Sequence, residues 1–236
     1  MWLNMTGALQ HGNPAKWQDK RMTLTRAFAA VRFLFGAVTL IAVGTQLGIH
    51  ISNGFPVLNF FSYFTNLGNI FAAVVLLVES VLTWRGKELG PLWQVLRCVS
   101  VVAMALVGMV FSALLRDVDL GSLLPWINTW LHYVMPVVVV ADWLIQSPRK
   151  PLSLRSLWIA VFFPLAYLAY SLVRGAITGW YAYPFLNPAN GGYGAVAITC
   201  LFIAVAFIAT TIVLILLANK FRPLVPVQWE SDSVAA

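Results

Sequence analysis

Asn59-Phe60-Phe61-Ser62-Tyr63-Phe64-Thr65-Asn66-Leu67-Gly68-Asn69 opens a long apolar run. Read as one helix, its Asn59, Ser62, Thr65, Asn66 and Asn69 recur at spacings of three and four and share a face. Phe60, Phe61, Phe64, Leu67 and Ile70 occupy the rest of the cylinder. Hydrocarbon offers those five polar side chains no hydrogen-bond partner. The face is therefore expected to turn toward the middle of a helical bundle, and the functional question is what it meets there.

The remainder of the chain has the same character. Of 236 residues, 60% are hydrophobic and 10% charged, with a mean hydropathy of +0.82. Soluble domains carry about a quarter charged residues, so the composition is that of an integral membrane protein, for which the bilayer is the apolar solvent. The net charge of +7 is scattered through loops at helix ends, which excludes a nucleic-acid surface in favour of topology. Cys98 and Cys200 lie in separate apolar runs, so neither a disulfide nor a metal site is expected, and no cofactor motif is present.

Six runs are long enough to span a bilayer: Ala27 to Ile49, Asn59 to Leu82, Leu92 to Leu115, Leu124 to Ile145, Leu154 to Val173, and Gly194 to Ala218. The expected fold is an all-α integral membrane bundle of six transmembrane helices. Lys16, Lys20, Arg21 and Arg26 precede the first run, Arg85 and Lys87 fill the second loop, and Arg149, Lys150 and Arg155 the fourth. Lys220 and Arg222 follow the last run, whereas the odd-numbered loops hold only Arg116 and Arg174. This alternation predicts both termini in the cytoplasm, with residues 1–26 and 219–236 as cytoplasmic tails around a transmembrane domain at 27–218. Tryptophans such as Trp84, Trp126, Trp143 and Trp180 lie near the expected interfaces. The fifth loop, with Gly179-Trp180-Tyr181-Ala182-Tyr183-Pro184-Phe185, is too aromatic for an idle linker and is expected to fold over the outer face as a partial lid.

His132 is the residue to set beside Thr65. Thr65 follows Pro56 by nine positions and His132 follows Pro125 by seven, which places both roughly 10–14 Å below the outer rim at about 1.5 Å per residue. A hydroxyl and an imidazole at one depth suit a nucleophile and its general base. The structural readings stand alongside: a membrane Thr that bonds its own helix carbonyls, and a His that makes a structural hydrogen bond. Asn66, Asn69 and Asn128 are candidate oxyanion donors, and Ser62 lines the same polar stripe. Asp142 is expected to clasp Arg97 near the cytoplasmic side, while Arg32 and Glu79 are expected to snorkel to the inner rim. Arg174, at the outer end of the fifth run, suits either the carboxylate of a lipid substrate or plain headgroup binding.

At these residues the chain resembles a bacterial six-span family usually labelled Pr-six-Pr. The resemblance runs through Phe61-Ser62-Tyr63-Phe64-Thr65-Asn66-Leu67-Gly68-Asn69, the segment from His132 to Ala141-Asp142-Trp143, and Arg174-Gly175 with Gly179 to Phe185. That family is more distantly similar to the eukaryotic androgen-induced and androgen-dependent membrane proteins. Those relatives hydrolyse fatty acid esters of hydroxy fatty acids with a Thr and a His. The resemblance implies a bacterial cytoplasmic-membrane location, membrane lipids and a lipid ester as partners, and Thr65 and His132 as catalytic residues. It also places Tyr183, within Tyr181-Ala182-Tyr183-Pro184-Phe185, among the substrate-binding or oxyanion groups. The departures from the eukaryotic pattern fall around the His, at Pro136 and Asp142, and bear on the substrate. Two other readings stay open: a lipid or small-molecule carrier or sensor, and a structural protein whose polar stripe joins helices.

Overall fold

The computed structural model describes residues 14–87, 90–119, 121–147 and 154–221, with side chains from residue 22 and, beyond the fourth loop, from residue 162. The expectations for Arg149, Lys150, Arg222 and the side chains of Lys16, Lys20, Arg21 and Arg155 lie outside the described residues. Helix α1 is Pro14–Ser52, α2 Val57–Phe61, α3 Phe64–Trp84, α4 Pro91–Val110, α5 Pro125–Thr129, α6 Met135–Ile145, α7 Leu154–Thr178 and α8 Gly192–Lys220. No strand occurs among the described residues. Four helices are long and apolar enough to cross a membrane: Met22–Ser52, Phe64–Trp84, Pro91–Leu115 and Gly192–Lys220. Their outward faces stay apolar, as with Leu201 and Phe202 of α8, 64% and 71% exposed. A monomer in water would not leave so much hydrocarbon uncovered.

Helix α4 forms the axis, packed against α3, α6, α7 and α8. Cys98, Val102, Met104, Leu106 and Phe111 build its core, joined by Phe207 and Leu214 of α8. A smaller apolar cluster of Ala42, Val43, Phe60, Ile127 and Leu131 fixes α1 against α2 and α5.

Two departures from regular helix shape the molecule. The first corrects the reading of Asn59–Asn69 as one helix. The chain breaks at Ser62 and Tyr63, with Tyr63 extended at φ −82° and ψ 125°. Side chains take over the backbone groups freed there. Asn66 Nδ2 donates to the Phe60 carbonyl (2.8 Å), Tyr167 Oη to the Ser62 carbonyl (2.8 Å), and Ser62 Oγ to the Leu58 carbonyl (2.6 Å). Short polar side chains compete with the helix ladder, which is why a Ser-x-x-Thr-Asn stretch tolerates the interruption. The second departure is a pair of π-helical turns, Phe111–Leu115 extending α4 and Trp130–Val134 joining α5 to α6. Pro136 explains the latter: it has no N–H for the His132 carbonyl, and its ring would crowd that carbonyl in a regular turn.

At the end of α3 away from this break, four charges are buried together. Arg32 of α1 grips Asp142 of α6 through Nε (2.8 Å) and Nη2 (3.1 Å), and Arg97 Nη2 of α4 reaches the same carboxylate at 2.9 Å. Arg97 Nε lies 3.0 Å from Glu79 Oε1 of α3, and Arg32 Nε 3.7 Å from Oε2. The Arg97–Asp142 clasp is thus present, within a larger network. Arg32 and Glu79 do not snorkel: their side chains are 6% and 0% exposed, because opposite charges from neighbouring helices meet them inside the bundle. Trp143 is likewise buried rather than at an interface, beneath the Arg97 guanidinium.

Candidate functional site

The break before α3 sets out the site. Helix α3 starts with N–H groups that have no partner within the helix, and Thr65 lies in that first turn. Its N–H donates to Tyr183 Oη at 3.3 Å. Tyr183 is buried by the fifth loop, which returns over the bundle in two short 3-10 turns, Pro184–Leu186 and Pro188–Asn190. Tyr183 stacks on Phe185 and meets Tyr63 edge-on, and Tyr63 meets Trp180 in the same way. Close packing holds this fold-back, for the Tyr181 ring lies where a Cβ on Gly175 would stand.

Thr65 also borders a cavity of about 150 Å³. Beside it the walls are Phe64, Phe111, Tyr167 and Tyr183, and the far side is α7 and α8, with Pro164, Leu168 and Phe207. Two wall residues of those helices, Leu165 and Ile208, are 51% and 43% exposed, so this side of the cavity lies close to the outer surface of the bundle. Apart from the Thr65 hydroxyl and two phenols the lining is hydrocarbon and one thiol, Cys200. A volume near 150 Å³ suits one short apolar segment such as a benzene-sized group, not a whole lipid.

His132, in the π-helical turn, is buried and stacks on Phe111 with ring centroids 3.9 Å apart. Its Nδ1 donates to the Asn128 carbonyl at 3.0 Å, so Nε2 is the nitrogen left to accept a proton. Phe111 thus touches both the imidazole and the Thr65 cavity. Asn69 ties α3 to the π-helical turn, since its Nδ2 donates to the Thr65 carbonyl (2.9 Å) and the Leu131 carbonyl (3.1 Å). No hydrogen bond joins the Thr65 and His132 side chains.

The other candidates are spread out by the break in phase. Ser62 Oγ meets Tyr170 Oη at 2.7 Å, and Arg174 Nη2 donates to Asn59 Oδ1 at 2.6 Å beside the Trp180 ring. Asn66 donates one amide hydrogen to the Phe60 carbonyl, and Asn69 gives its amide hydrogens to two carbonyls. The carbonyl oxygen of the Asn128 side chain is buried without a partner. Tyr183 Oη accepts from the Thr65 N–H and also lies within reach of the Thr65 and Tyr167 side chains. Sequence reasoning missed Tyr167 and Tyr170, although Tyr167, Tyr170, Ser171 and Arg174 fall at spacings that share one face of α7. Among the described residues no group of His, Cys, Asp or Glu is placed to hold a metal ion.

Fold and site together define an all-α membrane protein with an apolar cavity that Thr65 helps to line. No family model, curated protein or solved structure matches the chain.

Proposed function

We propose that this chain is a six-span protein of a bacterial cytoplasmic membrane, both termini cytoplasmic, that hydrolyses a lipid ester with Thr65 as nucleophile and His132 as general base. The observation that carries the reading is Thr65 in the wall of an apolar cavity bounded by α4, α7 and α8. The fourth and fifth expected spans correspond to α5–α6, divided by a π-helical turn, and to α7, which holds Pro164 in its interior. The resemblance to the Pr-six-Pr family supports the same residues.

The ester enters from the bilayer and lays part of its acyl chain in the cavity. Thr65 Oγ1 attacks the ester carbonyl carbon while its proton passes through one water to His132 Nε2. Tyr183 Oη donates to the oxyanion that forms. The intermediate collapses, the C–O bond to the alcohol breaks, and the leaving oxygen takes the proton from His132. Water, activated by the same imidazole, then cleaves acyl-Thr65 and releases the acid. In this low-dielectric setting each of these dipoles acts more strongly than in water.

Labelling tests the reading. A fluorophosphonate-type probe is expected to modify Thr65 in the purified protein, and Thr65→Ala and His132→Ala are each expected to abolish labelling and ester turnover. Wild-type turnover in either variant removes that residue from the mechanism. One observation favours a second reading, a lipid-binding protein without chemistry: Thr65 and His132 are not hydrogen-bonded. Lipid uptake by liposomes without ester cleavage would establish it.

A further inference from the structure

The last turns of α7, against the fifth loop, hold a cation without a carboxylate partner among the described residues. Arg174 is partly buried at the end of α7, its guanidinium carbon 4.3 Å from the centroid of Trp180 and its Nη2 bonded to the neutral Asn59 side chain. Nη1 is buried and has no hydrogen-bond partner. The other described cations differ. Arg32 and Arg97 are paired with carboxylates inside the bundle, and the rest are exposed. A guanidinium withdrawn from water is costly unless an anion or further acceptors meet it. Here the protein supplies one neutral acceptor and an aromatic face, and leaves one N–H₂ unanswered.

We infer that Arg174, Asn59 and Trp180 form a subsite for the oxyanion headgroup of an amphiphile. Trp180 holds the guanidinium flat and Asn59 fixes its rotation, which leaves the buried Nη1 group as the donor still to be met by a carboxylate or phosphate oxygen. The rings Trp180, Tyr63 and Tyr183 run in contact from this edge to Thr65, with centroids 5.7 and 5.8 Å apart. Tyr63 and Trp180 are partly exposed, and offer an apolar track between the headgroup and the cavity. The ligand is therefore an acidic amphiphile, its anion on Arg174 and its hydrocarbon beside Tyr183. The chain placement rests on the cavity reading above; the anion site does not need Thr65 to be catalytic.

The test uses the full-length protein in detergent, with palmitate, hexadecyl phosphate and hexadecanol as probes. Wild type is expected to bind one or both acids about tenfold or more tightly than the alcohol. Preference for palmitate identifies a carboxylate amphiphile, and preference for the phosphate a phospholipid-type headgroup. Arg174→Gln, which keeps an N–H₂ for Asn59, is expected to remove the preference and leave hexadecanol binding unchanged. Arg174→Lys keeps the charge without the planar edge and is expected to retain part of it. Equal binding of acid and alcohol by wild type, or an unchanged preference in Arg174→Gln, overturns the inference. The probes carry no ester, so the two claims fail separately. A wild type that shows no acid preference but labels at Thr65 sinks the subsite, and one that shows the preference but does not label sinks the hydrolase.

Discussion

Replacing Asp142 by Asn tests whether the buried charge network holds α1, α3, α4 and α6 together. The substitution keeps the volume and removes the charge that Arg32 grips through two nitrogens and Arg97 through a third. Glu79 would remain as the one carboxylate facing two guanidinium groups. Removing one partner of a buried ion pair costs about 3–5 kcal/mol, and the Asn amide would also turn donors toward donors. The Asp142 side chain is 12% exposed, which favours the lower end, about 3 kcal/mol. In a chain of this size that corresponds to a fall of roughly 6–12 °C in the unfolding midpoint. Thermal unfolding in detergent, followed by tryptophan fluorescence, reads it. The decisive variant is Arg32→Met with Asp142→Met, which deletes one charge of each sign and leaves the Arg97–Glu79 pair neutral overall. It is expected to recover at least about 1 kcal/mol relative to the sum of Arg32→Met and Asp142→Met made singly. Singles within about 0.5 kcal/mol of wild type, or a double variant no better than that sum, would refute the assignment of these charges to one coupled network.

Two smaller predictions concern the lid. Gly175→Ala places a methyl group in the Tyr181 ring; the ring must leave, at a cost of about 1–3 kcal/mol, and limited proteolysis within the fifth loop should accelerate. Tyr183→Phe removes the acceptor of the Thr65 N–H. It should lower stability by about 1–3 kcal/mol and slow probe labelling of Thr65 while leaving the helical circular dichroism intact.

How far the sequence reached differs along the chain. It placed the four long apolar helices, because in lipid each backbone polar group must be satisfied locally and long apolar runs leave few alternatives to helix. It did not anticipate the break at Ser62–Tyr63, since nothing in the apolar pattern says that Asn66, Tyr167 and Tyr183 will take over the freed backbone groups. That break resets the helical phase and scatters the polar stripe. Asn59 goes to Arg174, Ser62 to Tyr170 and Asn69 to Leu131. The π-helical turn at Trp130–Val134 was legible only as Pro136 inside an apolar run.

The class of protein, the position of its helices and the inventory of polar groups were fixed by composition and spacing, which act over a few residues. Partner choice was not, because those partners lie across helix interfaces: Asp142 meets Arg32 from 110 residues away, and Tyr183 meets Thr65 from 118. Only packing decides such meetings, for a helix face records which side chains point together and carries no record of what is brought against them.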